Sequence, residues 1–133
     1  MGAWSGEPFG NELATEWAWE LESAHDWRGV HAALERAASP EAPLDEDTAT
    51  IALAAAEVVA RGLGRPTQDD AYIEDVAAFV SRVPAPDPDL VRLAHAAIER
   101  AGDPSGSLGR VWQSCGPDAW REATDRLSLA LRG

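Results

Sequence analysis

The chain has 133 residues, 45% of them apolar, and a net charge of −12. That length suits one domain spanning residues 1–133 with a core of its own, and the apolar share excludes a disordered chain. No apolar run approaches the roughly 18 residues of a membrane span, and all eleven basic residues are Arg, which excludes Schiff-base lysine chemistry and a lysine-bearing phosphate loop.

Residues 1–10 contain Gly2, Gly6, Pro8 and Gly10 and read as an irregular arm, yet they carry Trp4 and Phe9. Two large aromatics in so short a segment predict an ordered arm, anchored by Trp4 and Phe9 near Glu57 or Trp112. Asn11 is an N-cap residue type and Glu12 suits a first turn. They predict a helix through ELATEWAWELES with Leu13, Ala14, Trp17, Leu21 and Ala24 on its buried stripe and Trp19 pointing elsewhere. Asp26 predicts the cap of a second helix, WRGVHAALERAA, with Trp27, Val30, Leu34 and Ala37 inward. Pro40 and Pro43 forbid its continuation.

The longest helix is expected over Asp45–Gly62, capped by Asp45 and ended by Gly62 and Gly64. Its middle, TIALAAAEVVA, is apolar on nearly every side, the pattern of a helix covered by neighbours all round. A shorter helix is predicted over residues 70–83, with Ile73, Val76, Ala77 and Val80 inward. After the stiff PAPDP connector, Asp87 or Asp89 starts DLVRLAHAAIERAG, which Gly102 stops. A short helix near Leu108–Ser114 and a last one opened by Pro117 complete the chain. No segment alternates with period 2 and there is no hairpin signal. The fold class is therefore all-α: six or seven short helices packed around a central Ala-rich helix, with an ordered irregular N-terminal arm.

Little in the sequence supports chemistry. His25, His31 and His95 form no metal-binding spacing, so no metal and no cofactor are expected. The acidic pairs and triplets match no calcium loop. Cys115 is the single cysteine, so no internal disulfide forms; with no secretion signal, a reducing cytoplasm is the expected location. A small incidental thiol is favoured there over a reactive one. Glu57 stands out, as an acid inside LAAAEVVA. Either it is a functional acid in a pocket, or it accepts bonds from an indole N–H, an Arg or the backbone of the N-terminal arm; the structural role is favoured. Trp17, Trp27, Trp112 and Trp120 fall on helical stripes, whereas Trp4 and Trp19 do not.

The opening MGAW with Gly6, Phe9 and Asn11, the segment AAAEVVARGLGRP (54–66) and the ending VWQS with DAWREATDRLSLAL resemble a bacterial family designated domain of unknown function 4259. The likeness spans nearly the whole chain. Members open M-G-A-W-G and continue F-x-N-D-D-A; here Ser5 stands for a Gly, and Asn11-Glu12-Leu13 stands for N-D-D. The resemblance implies a small cytoplasmic all-α protein and carries no activity with it.

Charge supplies the remaining clue. Residues 1–60 hold twelve carboxylates against Arg28 and Arg36, whereas the remainder holds eleven against nine Arg. No basic stripe exists for nucleic acid. The favoured expectation is a non-enzymatic interaction module, immunity- or antitoxin-like, that masks a basic protein partner. The alternative is a small-molecule binder or enzyme with a Trp-lined pocket around Glu57. The candidate binding residues across these readings are Trp4, Phe9, Asn11, Glu12, Trp19, Glu57 and Trp112. A third reading is a homo-oligomer whose arm swaps between subunits.

Overall fold

The structure is a computed structural model, and it describes residues 9–39, 44–68, 74–103, 106–113 and 117–132. Among the described residues stand seven α-helices: α1 (Glu12–Ala18), α2 (Arg28–Ala38), α3 (Glu46–Gly62), α4 (Glu74–Arg82), α5 (Pro88–Ala101), α6 (Ser107–Gln113) and α7 (Pro117–Arg132). A 3-10 helix, Trp19–Ser23, follows α1 directly. None of these residues lies in a strand, so the all-α expectation holds.

The helices start where short polar side chains can satisfy free backbone N–H groups. The Asn11 side chain accepts from the Ala14 N–H at 2.7 Å. Asp45 does the same for Thr48 at 2.7 Å, and Asp87 for Leu90 at 2.8 Å. Asp26 accepts from the Arg28 N–H at 3.1 Å, but the cap position of α2 is Trp27, one residue later than expected. At the end of α3 the chain closes a Schellman turn: Gly64 N–H bonds to Arg61 O at 3.0 Å, and Arg65 N–H to Ala60 O at 2.9 Å. Gly64 adopts φ +81° there, a conformation that disfavours any side chain.

The core forms around α3. Every residue from Ala52 to Ala60 is buried, and α3 touches each of the other six α-helices. Alanine makes this possible, because a methyl side chain lets neighbouring helix axes approach on all sides. The most extensive packing is among α2, α3 and α5, with Leu34, Val58, Val59 and Ile98 in the shared core. Gly62 extends the same logic to the helix end. A Cβ there would lie 3.0 Å from both the Pro86 ring and the tip of Trp27.

Two local expectations change. The first helix is not a continuous α-helix: it tightens to 3-10 winding at Trp19, with Leu21 still buried. The fourth is described from Glu74 onward, its expected start at residue 70 lying outside the described residues; it buries Phe79 as well as Val76, with Ala77 and Val80 half-buried against the core. Phe79 wins the inward position because its ring meets Trp27 edge-on, with centroids 5.2 Å apart and planes at 85°. Ile73 lies outside the described residues.

Candidate functional site

Two places bring the candidate residues together. The first surrounds Glu57, which is fully buried on α3. The Schellman turn sends the chain back along the helix and lays Thr67 and Gln68 against the carboxylate. One oxygen, Oε2, accepts the Thr67 N–H at 3.0 Å and the Gln68 N–H at 3.2 Å; Oε1 accepts the Thr67 hydroxyl at 2.5 Å. Burial pushes the Glu57 carboxyl above its ordinary range, and the Thr67 and Gln68 bonds with the Arg61 charge pull it back down. Gln68, itself buried, uses its side-chain oxygen to accept the Phe9 N–H at 2.8 Å. Its carbonyl takes a 3.3 Å bond from the Arg61 guanidinium.

This arrangement is a polar knot that ties three segments together. Phe9 is fully buried and joins the Glu57 network through Gln68, so this part of the arm packs where it was expected. The donors to Glu57 correct the expectation in detail. Among the described residues they are the hydroxyl and backbone N–H groups of the loop after α3, rather than an indole or the backbone of the arm. Trp4 lies outside the described residues, as does Cys115.

The second place is the outer face of α1 and the 3-10 helix. Trp19 is 64% exposed, the joint largest exposure of any large apolar side chain described. Glu12, Glu16, Glu20 and Glu22 are all exposed around it. Glu16 precedes Trp19 by three residues on the helix, which puts them on one face. Beyond Trp19 the winding is 3-10, in which residues i and i+3 eclipse, so Glu22 falls directly in line with Trp19. The result is a carboxylate–indole–carboxylate column facing solvent.

The other candidates separate from both places. Asn11 is consumed as the α1 cap, and Trp112 is half-buried in α6 against the core. A groove of about 280 Å³ lies between α5 and α7, with Gly102 and Thr124 in its lining, and it contains none of the candidate residues. Among the described residues no group of three His, Cys, Asp or Glu side chains could hold a metal ion. No described helix is long and apolar enough to cross a membrane.

Three residues that matter escaped the sequence: Thr67, Gln68 and Arg82. Thr67 and Gln68 sit in a loop whose polarity looks generic until the turn at Gly64 folds it back. Arg82 reaches across the fold to the segment carrying Trp19, where its guanidinium donates to the carbonyls of Leu21 at 2.5 Å, Ala24 at 3.1 Å and Glu22 at 3.2 Å. No local pattern announces a contact some sixty positions away in the chain.

A comparison with family models matches residues 2–123 to the family described as domain of unknown function (DUF4259). No curated protein and no solved structure matches the chain.

Proposed function

The chain belongs to the domain of unknown function 4259 family, whose description names no activity, and from its own surface we propose that it is a small acidic protein–protein interaction module that binds a basic partner. The observation that carries this reading is the exposed Trp19 set between Glu16 and Glu22. An indole face attracts a guanidinium or ammonium group, and flanking carboxylates pair with the same cation. A protein partner with an Arg or Lys at the centre of its contact surface fits this column. The net charge of −12 would steer such a partner from a distance. The immunity- or antitoxin-like role in the cytoplasm is the biological form this chemistry suggests, with nucleic acid disfavoured by the same charge.

The small-molecule reading around Glu57 has weaker support. Both carboxylate oxygens already accept bonds from Thr67 and Gln68, and Trp19 belongs to a different surface.

The test is affinity capture from a native lysate of the source cells, using wild type, Trp19→Ala and Glu16→Lys/Glu22→Lys. A basic protein should be retained by wild type, lost with either variant, and released by added salt. Retention that ignores both variants, or a chain that stays solitary at physiological salt, overturns the proposal.

A further inference from the structure

We infer that Arg82 is the positioning residue of the Trp19 column, holding the 3-10 winding that brings Glu22 into line with the indole; this rests on the docking role proposed above. One guanidinium nitrogen of Arg82 serves the carbonyls of Leu21, Glu22 and Ala24, the exit of the 3-10 helix. Leu21 O also accepts the Ala24 N–H at 3.1 Å, the closing bond of the 3-10 helix, and Glu22 O and Ala24 O lie past that bond; 3-10 hydrogen-bond geometry is poor by itself. Without an outside donor, a five-residue stretch of this kind would fray or relax toward α-helical winding.

Arg82 is in turn held at its own end. Its guanidinium carbon stands 6.0 Å over the centre of the Phe79 ring, and Phe79 meets Trp27 edge-on. The Trp27 indole N–H donates to Pro84 O at 2.8 Å, closing a circuit between the end of α4 and the segment that joins the 3-10 helix to α2. A lysine could not substitute in full, because an ammonium stacks less well on Phe79 and is more strongly hydrated than a guanidinium. The column is thus set before any partner arrives, which removes ordering cost from binding.

The inference predicts two separable effects of Arg82→Ala. Amide hydrogen exchange over residues 19–24 should accelerate by about tenfold or more while α3 amides keep their protection. Binding of a penta-arginine amide peptide, measured well below the melting temperature, should weaken about threefold or more. Arg82→Lys should fall between wild type and Arg82→Ala in both. In a Trp19→Ala background, Arg82→Ala should cause no further loss of peptide binding, a coupling that a general loss of stability would not produce.

Unchanged exchange over residues 19–24 overturns the clamp itself. Faster exchange with additive binding losses overturns its role in presenting Trp19. If wild type does not bind the peptide, the docking reading of Trp19 falls and the positioning role with it, while the exchange comparison still decides whether Arg82 holds the turn.

Discussion

A carboxylate walled in by alanine is tolerable only when donors meet its charge, and Glu57 receives three of them from two residues. Glu57→Ala would leave the Thr67 and Gln68 N–H groups without an acceptor and open a cavity. It should cost about 2–4 kcal/mol in urea denaturation. Glu57→Gln is a milder change. Its amide oxygen can take both N–H groups and its NH₂ can donate to the Thr67 hydroxyl, so stability should stay within about 1 kcal/mol of wild type. Acidity gives a sharper signature. The folded-state value of Glu57 lies above the ordinary 4.5, so the folded protein binds the extra proton in the window between the two. The stability that Glu57 contributes is therefore greatest at low pH and falls as pH rises through that window. The stability of wild type minus that of Glu57→Gln should decline over the same range; a difference that is flat or rises with pH would contradict the burial argument. The sequence made Glu57 conspicuous, since an acid amid LAAAEVVA needs an explanation. It could not name the partners, because the turn that delivers Thr67 and Gln68 depends on where the loop lands.

At the level of elements, punctuation was the most legible feature. Asn11, Asp45, Asp87, Pro117 and Gly64 each start or stop a helix as their chemistry dictates, and the apolar stripe of Ala52–Ala60 announced the central helix. The 3-10 stretch was not legible, because Leu21 faces inward under either winding and the stabilising donor comes from Arg82, far along the chain. Asp45 gives the opposite acidity signature to Glu57. Its bonds from Thr48 hold its carboxyl below the ordinary value, so its support for α3 is present above the unfolded value and lost as pH falls through the folded one. Gly62 supplies a test of close packing at an element end. Alanine there would gain helix propensity, yet its methyl would press on the Pro86 ring and on Trp27, which Phe79 and Pro84 hold in place. The contact should win, and Gly62→Ala should lose about 1 kcal/mol by thermal melting. A stabilised variant would show that Trp27 can give way.

Across the described residues, four arginines are spent on the backbone rather than on carboxylates. Arg61, Arg65, Arg82 and Arg100 each donate to backbone carbonyls at the ends or turns of other segments, and Arg100 reaches both Ala37 and Ser39 at the exit of α2. A chain with only Arg as its basic residue exploits the guanidinium as a multiple donor. Arg100→Lys, which keeps the charge, should still lose about 1 kcal/mol because a more strongly hydrated ammonium loses more on leaving water for these part-buried carbonyls; equal stability would reduce Arg100 to a simple charge. Arg28, Arg92 and Arg126 pair on the surface with Asp26, Asp89 and Glu122, yet 23 acidic residues stand against 11 arginines, so negative charge is in surplus. Raising NaCl from about 0.01 M to about 0.15 M should therefore raise the melting temperature by screening self-repulsion. A melting temperature that falls over that range would mean that favourable ion pairs dominate instead.

The position of α3 has a consequence for how the chain comes off the ribosome. The helix lies near the middle of the sequence, and its apolar surface is covered from both sides of it, by α1 and α2 before and by α4 to α7 after. A nascent chain that has released only α1, α2 and α3 presents a run of alanine and valine to water with the α5 side bare. Folding can be completed only once α5 has emerged, so the first half of the polypeptide waits for the second instead of folding ahead of it. A fragment ending at residue 87 should show no cooperative melt, whereas the full chain melts in one step.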